Sequence, residues 1–248
     1  MSEEDKKIEE ENKDGEEANT SDSVKETKEE VREKSVTREM VEALVVAFVL
    51  AVIIKTFLIE AFKIPSGSME DTLLIGDHLM VNKFSYGLQV PRPVMKEFGG
   101  VKIPFLETQL VNTWGELKRG DIVVFRYPGN RRDDYIKRVV ALEGEVVEAK
   151  NGKIHVNGVA WDDSAFAVYK YGGRYRTEGQ SMLPDFDPYK VPEGHFFAMG
   201  DNRLNSSDSR VWGPAPFADI KGKAFIIYWS WDSDESSVRW SRIGDGIK

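Results

Sequence analysis

Ala43–Ile54, reading ALVVAFVLAVII, is a run of twelve uncharged, mostly large apolar residues set directly behind a densely charged segment. As a helix it would be apolar on every face, so lipid or protein must cover all of it. Twelve helical residues rise only ~18 Å, short of a ~30 Å hydrocarbon core. Lys55 interrupts the run, and Thr56-Phe57-Leu58-Ile59 resumes it before Glu60. Counted as Ala43–Ile59 it rises ~25 Å, the low end of a spanning helix, provided Lys55 snorkels to the interface. Three uses compete: a membrane anchor, a cleaved leader and a buried core helix. A leader sits badly behind a long acidic segment, and no small-x-small site follows. The expectation is an anchor over residues 40–61. Lys25, Lys28, Arg32, Lys34 and Arg38 precede the span, against Lys55 and Lys63 at its far end. The basic flank marks the cytoplasmic side, which puts residues 1–39 inside and the chain from residue 62 outside.

Residues 1–39 hold 8 Lys/Arg against 15 Asp/Glu, nearly the whole of the formal net charge of −8. Ile8, Val24, Val31 and Val36 are their only large aliphatics. So little apolar surface cannot offset the entropy of ordering, and a disordered acidic tail is expected. The remaining body is nearly neutral, which argues against a nucleic-acid partner. The absence of cysteine excludes a disulfide framework, a thiol nucleophile and a thiolate metal site. Three scattered histidines, His78, His155 and His195, do not suggest a metal centre, so neither metal nor cofactor is expected.

From residue 62 onward the pattern is of short strands between turn signals. Runs rich in Val, Ile, Phe and Tyr fall at His78–Phe84, Asp121–Tyr127, Tyr135–Leu142, Glu145–Ala149, Lys153–Val156, His195–Met199 and Ala224–Trp231. Asn151-Gly152 between two of them signals a two-residue hairpin. Residues 62–248 therefore predict a mainly β domain built on a coiled antiparallel sheet or barrel. The stretch 159–192, with little periodicity, reads as a small cap or insertion.

The chemistry-bearing residues fall in three segments. Ile64-Pro65-Ser66-Gly67-Ser68-Met69 follows the apolar run. In extended chain Ser66 and Ser68 project to one face, where one can attack and the other donate to an oxyanion. An ordinary Ser-Gly turn is the plainer alternative. A serine nucleophile needs a base, and none of the three histidines carries a recognisable signature. A lysine buried in an apolar strand can serve, because desolvation lowers its pKa towards neutrality. Tyr135-Ile136-Lys137-Arg138-Val139-Val140-Ala141-Leu142 contains one. Period two places Lys137 with Tyr135, Val139 and Ala141, and Arg138 with Ile136, Val140 and Leu142. Arginine does not deprotonate, so Lys137 is the candidate base. Two snorkelling edge-strand cations remain the alternative. The third segment, Gly200-Asp201-Asn202-Arg203-Leu204-Asn205-Ser206-Ser207-Asp208-Ser209-Arg210, is a polar loop that Asp208 and Arg210 can stiffen by pairing. Its spacing lacks a calcium-loop pattern.

In this order, and with Arg119-Gly120-Asp121-Ile122-Val123-Val124-Phe125 between them, the segments resemble bacterial type I signal peptidases over roughly residues 40–248. That resemblance implies a membrane-anchored serine endopeptidase with a Ser–Lys dyad on a mostly β core, removing signal peptides from exported preproteins as they leave the translocon. Matched by motif, Ser68 is the nucleophile and Lys137 the general base. Ser66 joins the Ser68 N–H in the oxyanion hole, Ser206 orients the lysine amine, and Asp208 and Arg210 brace the loop. Phe62, Ile64, Met69, Tyr135 and Ile136 match the shallow pockets for small side chains at −1 and −3. The location implied is the bacterial cytoplasmic membrane, crossed once.

One departure stands out. The family usually reads Ser-Met-x-Pro-Thr-Leu, where this chain has Ser68-Met69-Glu70-Asp71-Thr72-Leu73. Asp for Pro is expected to loosen the turn by an entropic term under about 1 kcal/mol. Trp229, Trp231 and Trp240 either pack in the core or extend the membrane contact. The rivals are another Ser–Lys peptidase, of the pilus-maturation or self-cleaving repressor kind, and a non-enzymatic anchored β-domain. A repressor should carry a helix-turn-helix where this chain has its apolar run. A binding module has no use for a deprotonated lysine.

Overall fold

The computed structural model describes residues 38–98, 100–171, 174–175 and 183–248. The tail 1–37 and residues 172–173 and 176–182 of the expected cap lie outside them. The chain divides between Ile54 and Lys55. Residues 38–53 are α-helical, opened by an Arg38–Glu42 pair one turn apart at 2.9 Å. Leu44 and Phe48 on this helix are 67% and 70% exposed. A π-helical turn, Ile54–Leu58, ends it at the interrupting Lys55. Among the described residues no helix is long and apolar enough to cross a membrane.

The strands come in quick succession. The first are β1 (Ile59–Lys63), β2 (Asp77–Asn82), β3 (Gly87–Phe98), β4 (Val101–Thr113), β5 (Ile122–Arg126) and β6 (Asp134–Ala141). Then come β7 (Val146–Lys150), β8 (Lys153–Val156), β9 (Val159–Ala160), β10 (Lys170–Tyr171), β11 (Arg174–Tyr175) and β12 (Phe186–Lys190). The last are β13 (His195–Met199), β14 (Ala215–Pro216), β15 (Ile220–Asp232) and β16 (Ser237–Val238). The main sheet is antiparallel, in the order β1-β2-β15-β5-β6-β13-β14, with β16 added to β15. Among the described residues it is open, because β1 and β14 end the order without pairing to each other.

Period two separates the sheet's faces. Val123, Phe125 and Val139 join one core cluster with Phe196 and Ala198, where the Phe125 and Phe196 rings meet edge to face at 5.3 Å. Ile122 and Val124 join another with Ile64, Met69, Leu79 and Val81. The continuous apolar run of β5 is thus buried from both sides, as such runs require. A smaller sheet, β12-β7-β8-β9, gathers Val147, Ala149, Ile154 and Val156 against Phe197. Its β7–β8 turn is the expected one: Asn151 and Gly152 take φ of 53° and 73°, both left-handed, as a type I′ hairpin demands.

Two features differ from expectation. A long hairpin, β3 with β4, fills residues where no strand was anticipated; Pro91, Pro93, Pro104 and Gly99-Gly100 hide it. A two-stranded ribbon tolerates proline because each strand has an outward-facing edge. The three tryptophans are not core residues either. Trp229, Trp231 and Trp240 are 37%, 39% and 72% exposed.

Candidate active site

Ser68 sits in a 3-10 turn, Gly67–Met69, that follows extended Ser66 with φ −138° and ψ 155°. Extended geometry therefore stops at Ser66, and the side-by-side placement argued from period two does not describe this segment. Ser66 is exposed and makes no side-chain cap to the turn; Ser68 is buried. The turn is held from one side by the polar loop. Asn202 N–H donates to the Ser68 carbonyl at 3.1 Å, and Asn202 Nδ2 donates to the Gly67 carbonyl and Glu70 Oε2, each at 3.2 Å. Gly200 passes so close that a Cβ there would fall 2.4 Å from the Ser68 carbonyl oxygen. A backbone approach of that kind admits only glycine.

Lys137 lies where β6 loses one neighbour. It pairs with Val123 of β5, whereas β13 covers β6 only from Arg138 to Ala141. Its side chain reaches Ser68: Nζ donates to Ser68 Oγ at 2.8 Å and to the Ile136 carbonyl at 2.9 Å. With the residue 4% exposed, desolvation pushes the amine down to about 8, while the carboxylates of Asp208 and Asp201 pull it partly back. At pH 7 about one such amine in ten is neutral, against roughly one in three thousand for a free lysine.

The loop residues behave unequally. Asp208 is fully buried, caps the short helix Ser209–Trp212, accepts from the Gly200 N–H at 3.0 Å, and pairs in two places with the Arg210 guanidinium at 2.7 Å. Among the described residues Ser206 Oγ is buried without a hydrogen-bond partner, so it makes no bond to the amine in this structure; it packs on Gly200, where a Cβ would meet it at 2.3 Å. The second bond of the amine goes to the Ile136 carbonyl. Among the pocket candidates, Ile64 and Met69 are core residues, and Phe62 and Ile136 pack half-buried on the same cluster. Tyr135 occupies the opposite face with Lys137, stacked on Tyr127 at 4.6 Å.

Sequence reasoning missed the partner of Arg138. Asp201 receives the guanidinium through two 2.8 Å bonds and also accepts Thr72 Oγ1 at 2.6 Å, tying the strand of Lys137 to the chain just past Ser68. An arginine flanked by apolar strand residues was the available signal, since a buried cation requires a buried anion. Asp71 also departs from expectation. Its φ is +74°, left-handed, and Glu70 before it has φ −54° and ψ 147°. Together they turn the chain, and the Leu73 N–H closes the turn on the Met69 carbonyl at 2.7 Å. Proline, fixed near −65°, does not fit at residue 71, so Asp does more than loosen a proline turn. Among the described residues no cluster of three His, Cys, Asp or Glu could hold a metal ion.

A serine hydroxyl in contact with a buried amine, on an open antiparallel sheet, defines a hydrolase of the serine–lysine class. The chain belongs to the signal peptidase family, peptidase S26, whose model matches residues 37–229. A signal peptidase I of Pseudomonas fluorescens is 35% identical over 230 residues, covering 79% of this chain and 74% of that protein. One of Aquifex aeolicus is 31% identical over 242 residues, covering 78% and 84%. A crystal structure of a signal peptidase I from Enterococcus faecalis V583 is 30% identical and covers 44% of this chain and 96% of its own, with a TM-score of 0.37.

Proposed function

We propose that this protein is a membrane-anchored serine endopeptidase that cleaves signal peptides from exported preproteins, with Ser68 as nucleophile and Lys137 as general base. The observation that carries the reading is the 2.8 Å contact between Lys137 Nζ and Ser68 Oγ. In its neutral form the amine takes the Ser68 proton as Oγ bonds to the carbonyl carbon of the −1 residue. Negative charge moves to the carbonyl oxygen, beside the Ser68 N–H and the Ser66 hydroxyl. Collapse breaks the C–N bond, and the Lys137 ammonium protonates the departing amine. Water then hydrolyses the ester, giving its proton to Lys137, which returns one to Ser68.

The bound signal lies extended along β1 and the open part of β6, where, among the described residues, 134–137 have a strand partner on the β5 side only. Half-buried Phe62 and Ile136, backed by the core residues Ile64 and Met69, form the apolar floor for small side chains at −1 and −3, and Tyr135 flanks Lys137. The anchor is the apolar helix ending at the π turn, with residues 1–39 cytoplasmic and the β domain outside the bacterial cytoplasmic membrane, where preproteins leave the translocon. Exposed Trp229, Trp231 and Trp240 support a bilayer contact. In detergent, Ser68→Ala abolishes cleavage of a preprotein while the folded enzyme persists. Full activity in that variant overturns the reading.

A further inference from the structure

Phe62 and Ile136, which both pack half-buried on the core cluster around Ile64 and Met69, are each preceded at period two by a carboxylate, on the side of the strand away from Lys63 and Lys137. On β1 it is Glu60; on β6 it is Asp134. Lys221 of β15 lies between them. Its Nζ is 2.6 Å from Asp134 Oδ2, 4.0 Å from Glu60 Oε1 and 5.6 Å from the centre of the Phe62 ring. Lys83 holds Glu60 from its other side at 3.4 Å. The side chains of Lys221, Asp134 and Glu60 keep 18%, 29% and 33% of their surface exposed, so the charges remain reachable. Asp134, Lys221 and Glu60 thus make a charged bar that joins β6 to β1 beside the Phe62 ring.

We infer that Lys221 is a specificity-determining residue that reads the substrate side chain at −5. The inference rests on the signal-peptidase reading of the site. In an extended substrate, alternate side chains face the same way about 6.7 Å apart, so −1, −3 and −5 all point to the floor. If −1 and −3 occupy the apolar part, −5 meets the bar. An apolar −5 side chain covers the ammonium and removes its water without replacing it. An acidic one gives the ammonium a second partner beside Asp134, and Glu60 is too distant to compete fully.

The test uses the full-length enzyme in detergent and two peptides spanning one cleavage site, identical except for Glu or Leu at −5. The ratio of their kcat/KM values is measured in wild type, Lys221→Met and Asp134→Asn. Lys221→Met lowers the Glu-to-Leu ratio about fivefold, the scale of one partly exposed ion pair. Asp134→Asn frees the ammonium and raises the ratio. A loss of folding moves both peptides together and leaves a ratio unmoved, so opposite shifts in two variants are diagnostic. Should Lys221→Met not fold, Asp134→Asn decides alone. A rise supports the assignment, and an unchanged or falling ratio overturns it. Cleavage of both peptides by Ser68→Ala overturns the underlying reading and this assignment with it. Ser68-dependent cleavage with unmoved ratios overturns the assignment alone.

Discussion

The Lys137 amine reaches the Ser68 hydroxyl at 2.8 Å across 69 positions of sequence, and it does so from a site where charge is unwelcome. Activity should therefore follow the neutral amine. Because the amine is pushed down to about 8, kcat/KM should rise tenfold per pH unit below that value and level off above it. A stopped series of initial rates from pH 6 to 10 measures this. A plateau already reached at pH 6 would assign the proton acceptor to another group.

The same burial makes a stability prediction with a definite sign. Unfolded, Lys137 holds its proton up to the ordinary lysine value of 10.5; folded, it loses it near 8. Between those values the unfolded state binds more protons, so stability rises with pH. Wild type should gain roughly 3 kcal/mol relative to Lys137→Met as pH climbs from below 8 to above 10.5. Below pH 8 the variant, which buries no charge, should be the more stable one. Thermal unfolding of both at pH 7 and pH 10 checks it, and a difference that does not change with pH refutes the depressed amine.

How far the sequence reveals this molecule depends on whether a feature is local. Lys153–Val156 and His195–Met199 are legible to the residue because alternation and bounding turns are properties of the segments themselves. Asn151-Gly152 is legible because its left-handed φ values need those residue types. The β3–β4 ribbon is not, since prolines that would disqualify a central strand are harmless in a pair with two open edges. Ser68 and Lys137 are visible as candidates, but no periodicity says that they meet; that follows from a sheet whose neighbours are far apart in sequence. The bend at Gly67–Met69 is tertiary, and period two misplaced it; the packing of Ser206 on Gly200 is tertiary too and has no signal in the segment's own pattern.

Gly200 should tolerate no side chain. A methyl group would sit 2.4 Å from the Ser68 carbonyl oxygen, a backbone atom that can move only by moving the nucleophile. Gly200→Ala should cost about 1–3 kcal/mol of stability and more than tenfold in kcat. Ser206→Ala in the same chain relieves only the 2.3 Å contact with Oγ, so it should not restore activity. Rates and unfolding midpoints of the single and double variants measure both effects. Restoration by the double variant would show that the hydroxyl, not the Ser68 backbone, sets the constraint.

Asp71 offers a comparison in which family pattern and geometry disagree. Restoring the family's usual proline by Asp71→Pro should, on entropic grounds alone, stabilise the chain. The left-handed φ of +74° says the opposite, because the pyrrolidine ring forces a value near −65°. The turn cannot readily absorb the change. Thr72 on its far side is tied by its hydroxyl to Asp201 at 2.6 Å and by its carbonyl to Arg242 at 3.0 Å, and the Leu73 N–H donates to the Met69 carbonyl at 2.7 Å. Asp71→Pro is therefore expected to lower stability by about 1–3 kcal/mol and to reduce kcat by displacing Ser68. Asp71→Gly, which takes a positive φ without strain, should hold or raise the melting temperature. Differential scanning calorimetry of the two variants decides between the accounts. A melting temperature raised by proline and lowered by glycine would return the turn to the family's backbone form.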